Sequence, residues 1–129
     1  MGDRALIIFT DGQEVSPTVY LHWNATETPK WLEEHKELMN SRGADVQYAA
    51  ARFIGIAHSH IGGNVSLGCW NTEDEIADAA RRTIAEPSGD HVAVLGNHSH
   101  GDGGVVVVNA NDYSWRAFGG YLARTEQAA

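Results

Sequence analysis

The chain has 129 residues, of which 43% are hydrophobic and 20% charged, and it carries a formal net charge of −8. That length suits one domain with a real core, and no apolar run approaches the roughly 18–20 residues of a membrane helix. The negative charge opposes direct binding to a nucleic-acid backbone, and the single cysteine, Cys69, excludes both an internal disulfide and a four-cysteine zinc site within one chain.

Arg4–Phe9 and Val15–Trp23 are β-rich runs separated by Thr10-Asp11-Gly12-Gln13, and Asp-Gly between apolar segments predicts an antiparallel hairpin. Pro17 means that regular pairing of the second strand begins after it or that the strand lies at an edge, with Val19, Leu21 and Trp23 expected on one face and Tyr20 and His22 on the other. The short apolar stretch near the N-terminus is expected to be this first strand, with no signal-peptide hydrophobic region. Cytoplasmic residence is inferred from that.

Thr28-Pro29 opens a helix in which Trp31, Leu32, His35, Leu38 and Met39 recur at helical spacing, ending near Arg42-Gly43. Asp45 can cap a second helix, whose apolar stripe is Val46, Ala49, Ala50, Phe53, Ile54 and Ala57 and whose stop is Gly62-Gly63. Val65–Trp70 alternates as a strand, and Cys69 within it is expected to be a small buried hydrophobe. Thr72-Glu73-Asp74-Glu75 has the form of a capping box before a third helix containing Ile76, Ala79, Ala80 and Ile84. His91–Leu95 and Val105–Val108 read as two further strands, the four valines predicting burial on both faces. The Gly-rich connection between them, Gly96–Gly104, reads as a mobile loop, and Tyr113, Trp115 and Phe118 as a last short strand or a cover for the sheet. The fold class expected is α+β: one domain over residues 1–129, with a mainly antiparallel sheet of about five strands packed on two or three helices.

The tripeptide His-Ser-His occurs twice, at 58–60 and 98–100. Imidazoles at i and i+2 grip one ion only on extended backbone, because two residues along a helix turn them to opposite faces. His58 and His60 with Asp74 or Asp78 have the order of a JAMM-type metallopeptidase, which would make the chain a zinc-dependent hydrolase. Ile61 stands where that motif has Pro, and a second helix running through Ile61 would part the two rings. His98, His100 and Asp102 form a second possible metal site in the Gly-rich loop, against the alternative of a solvated loop. Ser59 and Ser99 adjoin histidines in sequence, which does not aim their side chains at each other, so no nucleophilic dyad follows.

Tyr20, His22, Trp23 and Asn24 form an aromatic strand end that can hold a planar ligand or a partner; the structural alternative places Trp23 in the core and Asn24 at a turn. Arg52, beside Tyr48 and Phe53, is the guanidinium best placed to join them, although surface solvation of a helix is the simpler explanation for it. The acidic groups Glu27, Glu33, Glu34 and Glu37, and again Glu73, Asp74, Glu75 and Asp78, are expected on exposed helix faces.

The segment Arg4–Ile8 through Asp11-Gly12, followed by Val19-Tyr20-Leu21-His22-Trp23-Asn24, resembles a group of small phage and prophage proteins of unassigned activity. Ala49-Ala50-Ala51-Arg52-Phe53 and Val65-Ser66-Leu67-Gly68 extend the resemblance to roughly residues 4–68, with Ala25 where the group has Gly. It carries no established catalytic residues. What it implies is a mobile-element protein of the bacterial cytoplasm, acting by binding: a counter-defence inhibitor of a host protein complex, or a protein that sequesters a nucleotide signal. The expectation is a non-enzymatic binding protein without a cofactor, able to form a homo-oligomer and making no contact with membranes.

Overall fold

A computed structural model describes residues 2–62, 66–86, 88–99 and 101–124. Within them, five strands and four helices form three layers. The strands are β1 (Ala5–Thr10), β2 (Thr18–Leu21), β3 (Leu67–Trp70), β4 (Gly104–Asn109) and β5 (Ser114–Phe118), and the helices α1 (Thr28–Met39), α2 (Val46–Ile61), α3 (Asp74–Ala85) and α4 (Asp90–Asn97). The sheet order is β3-β2-β1-β4-β5, with β1 and β4 parallel and the other three pairings antiparallel. The α+β class holds.

Strand alternation divides the core in two. Ala5, Ile7 and Phe9 of β1, Val19 and Leu21 of β2, and Val106 and Val108 of β4 face α1 and α2, where they meet Trp31, Leu32, Ala49, Phe53 and Ala57. Leu6 and Ile8, with Val105 and Val107, face the opposite way, onto Ile76, Ala79 and Ala80 of α3 and Leu95 of α4. The valine run is therefore covered on both faces, as its composition predicts.

The hairpin, the start of regular pairing at Thr18, Pro29 in the first turn of α1 and the Asp45 entry of α2 follow the sequence signals, whereas Thr28 does not cap α1: Glu27 holds the cap position and Thr28 is the first, buried residue of the helix. Asp45 caps α2 by accepting the Tyr48 amide at 3.0 Å, and Gly62 ends it at φ +76°. The acidic residues Glu33, Glu34 and Glu37 on α1 and Glu73, Asp74, Glu75 and Asp78 around α3 are exposed.

Several expectations are corrected. His91–Leu95 belongs to helix α4, because burial falls on His91 and Leu95, four apart; the β-branched run of Val92 and Val94 mimics a strand. Helices among the described residues therefore number four, against two or three expected. Thr72 makes no capping box: its hydroxyl donates to the Ser16 carbonyl at 2.7 Å and pairs with the Thr18 hydroxyl, while Glu73 occupies the cap position of α3. Leu38 and Cys69 are exposed, Cys69 because β3 is an edge strand. Trp23 is exposed while Val19 and Leu21 are buried, because β2 ends at Leu21 and the chain bends before Trp23. The Gly-rich connection is anchored. Asp102 accepts the Arg4 amide at 3.1 Å and the Arg4 Nε at 2.7 Å, Ser99 donates to the Gly119 carbonyl at 2.8 Å, and Gly103 donates to the Arg4 carbonyl at 2.8 Å.

Candidate functional site: an aromatic shelf on the open half of the sheet

α3 and α4 do not cover the whole of their face. They pack on β1, β4 and β5, which leaves the β2–β3 half of that face without a helix among the described residues. Tyr20 points there by alternation, opposite Gly68 of β3, with Trp70 two residues further along the same strand face. Gly68 lies beneath them: a Cβ there would be in van der Waals contact with both rings, 3.4 Å from Tyr20 Cδ2 and 3.7 Å from Trp70 Cζ3. Both rings lean over that glycine, their centroids 5.4 Å apart.

The row continues through His22, whose Nδ1 is 2.5 Å from the Tyr20 hydroxyl, to Trp23, whose indole meets the imidazole edge-on at 4.6 Å. Trp23 is 52% and Trp70 46% exposed, while the other two tryptophans, Trp31 and Trp115, are buried. Four linked rings thus line an open surface, with the two largest most in solvent. Arg4 belongs to the same face, one residue before Ala5, and lies close enough to Tyr20 to interact with it electrostatically; its hydrogen bond to Asp102 raises its pKa first of all.

The end of the sheet behind this row is fixed by a polar knot. Asp3 accepts from the Thr26 amide (3.0 Å), the Thr26 hydroxyl (2.6 Å) and the Tyr121 hydroxyl (2.5 Å). Burial alone would raise the Asp3 pKa, but these hydrogen bonds outweigh it and hold the carboxyl below its usual range. The Tyr121 hydroxyl is pushed up to about 12, by burial and by its bond to Asp3. Both groups are structural.

Of the residues that the sequence singles out, the structure brings Tyr20, His22 and Trp23 together and sets Asn24 just after them, at the entry to the 3-10 turn Ala25–Glu27. Arg52 is not with them. It sits on α2, across the sheet, with its guanidinium 5.9 Å from the Tyr48 ring. Trp70 is the member that sequence reasoning missed. Its signal was an unflanked Trp on a glycine-containing edge strand, next to polar Asn71-Thr72.

Both first-copy histidines lie on α2, which runs through Ile61 as expected. His60 stacks on Trp31 (5.4 Å, 12° between planes) and its Nε2 is 3.0 Å from Glu34, while His58 is exposed. Asp74 and Asp78 are on α3, on the other side of the sheet, so these four do not converge. His98 ends α4, Asp102 is engaged with Arg4, and His100 lies outside the described residues. Among the described residues no group of three or more His, Cys, Asp and Glu side chains is placed to share a metal ion.

The fold and this shelf define an α+β domain with a solvent-facing aromatic row on its open sheet half. Comparison with known proteins finds nothing similar: no family model, curated protein or solved structure matches the chain. No helix among the described residues is long and apolar enough to cross a membrane.

Proposed function

We propose that this chain is a non-enzymatic binding protein that engages a partner protein through Tyr20, His22, Trp23 and Trp70. The observation that carries the reading is the exposure of two indoles in a continuous ring row that runs from β3 through β2 to the bend after it. Trp and Tyr are the side chains that most often dominate protein interfaces, and a fixed aromatic row loses little entropy on contact. A small-ligand site would enclose most of its guest, whereas these rings stand open. The exposed acids of α3 lie on the same side of the sheet, so the partner surface is neutral to basic. The resemblance to small phage and prophage proteins supplies the setting: a bacterial cytoplasm and a counter-defence inhibitor of a host complex.

A second reading, capture of a nucleotide signal, draws on Arg4 and His22 beside Tyr20, where a base could stack and a phosphate meet a guanidinium. One experiment separates the readings. Untagged protein and its Trp23→Ala/Trp70→Ala variant are incubated with bacterial lysate, and bound proteins, small molecules and metal are identified. A protein retained by the parent and lost by the variant supports the inhibitor; a co-purifying nucleotide selects the second reading; stoichiometric zinc would replace both with metal-dependent hydrolysis.

A further inference from the structure

We infer that β3 is a self-association edge, on which a second copy of this chain pairs antiparallel to extend the sheet across a two-fold axis. The backbone carries the argument first. β3 is the last strand on its side of the sheet among the described residues. The His22 amide donates to the Ser66 carbonyl at 3.0 Å, so Ser66, Gly68 and Trp70 bond inward to β2, and antiparallel alternation turns the amides and carbonyls of Leu67 and Cys69 outward.

Such edges are ordinarily blunted by charge, proline or a bulge. From Ser66 to Thr72 there is no Asp, Glu, Lys, Arg, His or Pro. The opposite edge, β5, carries Arg116 at its centre. In a chain of net charge −8, an uncharged stretch is where a second copy meets least repulsion. Antiparallel pairing centred on Gly68 also places the two Glu73-Asp74-Glu75 clusters at opposite ends of the joined strands. By a rise of about 3.3 Å per residue they are then about 30 Å apart, several screening lengths.

The side chains agree with that register. Gly68 of each copy faces Gly68 of the other, giving a floor without side chains, over which each Trp70 already leans. Leu67 and Cys69 of one copy then exchange all their outward hydrogen bonds with Cys69 and Leu67 of the other, and two aromatic shelves become one surface. Alternative occupants of the edge, such as a strand from another protein, would leave the isolated chain monomeric.

Sedimentation equilibrium of the untagged full chain, in reductant so that no Cys69 disulfide contributes, tests this directly. The parent is expected to approach twice its 14.0 kDa chain mass at high micromolar concentration. Cys69→Pro removes only an outward amide, which edge strands tolerate, and is expected to stay folded yet remain at the single-chain mass at every concentration. Should the proline variant not fold, Cys69→Lys places a charge at the same exposed position and is expected to give the same loss. A parent that stays monomeric throughout, or folded variants that still dimerise, would overturn the proposal.

Discussion

His35 is an ionisable side chain held in the core on the α1–α2 side of the sheet. It is fully buried between Phe9 and Phe53, its Nε2 donates to the Ala49 carbonyl at 2.8 Å, and its Nδ1 therefore accepts from the Tyr113 hydroxyl at 2.5 Å. Tyr113 reaches it from a left-handed backbone, φ +56°, which a non-glycine residue holds only when its surroundings fix it. Tyr113→Phe leaves the buried Nδ1 without a donor and is expected to cost about 1–3 kcal/mol in urea unfolding. Burial lowers the His35 pKa below 6.5, only partly offset by the Ala49 bond. The unfolded chain therefore binds a proton there before the folded one does. Stability is full above about pH 6.5 and falls as the pH drops through the folded value. Asp3, Asp11 and Asp112, whose pKa values are held below 3.8, act only in a lower window. Unfolding midpoints between about pH 6.5 and 4.5 should decline more steeply in the parent than in His35→Gln; equal slopes would remove His35 as the cause.

Gly104 shows how an element can depend on one backbone angle. It opens β4 at φ +104°, and a Cβ there would lie 2.5 Å from the Phe118 carbonyl oxygen and 2.9 Å from the Gly120 nitrogen. Gly104→Ala is expected to destabilise the β4–β5 pair by more than about 1 kcal/mol, read as a lowered thermal midpoint. Helices α1 and α2, the β1–β2 hairpin and the doubly buried β4 were legible because period, helix-start and turn residues agreed: Pro29, Asp45, Asp11-Gly12 and four valines each point one way. α4 was not, because eight residues rich in Val suit either period until α3 and the sheet decide. The parallel β1–β4 pairing lies in no local signal. The shelf was legible in three of its rings and lost in the fourth, since Trp70 joins Tyr20 only through the β2–β3 register, and Arg52 was drawn in by sequence proximity to aromatics that the fold sends elsewhere.

For the molecule as a whole, two tryptophans are structural and two are free to meet a partner. Trp31 and Trp115 are 3% and 7% exposed, against 52% and 46% for Trp23 and Trp70. Removing the exposed pair should leave the cores on both sides of the sheet intact while deleting the principal contact area. With a net charge of −8, binding to a basic partner should also weaken as salt is raised. The decisive measurement is isothermal titration of the captured partner into the parent and into Trp23→Ala/Trp70→Ala, alongside urea unfolding of both. At about 2 kcal/mol or more for each of two interface hot spots, about 4 kcal/mol together, the variant should bind roughly 1,000-fold more weakly with its unfolding midpoint little changed. A folded variant that binds as tightly as the parent would refute the aromatic row as the contact surface.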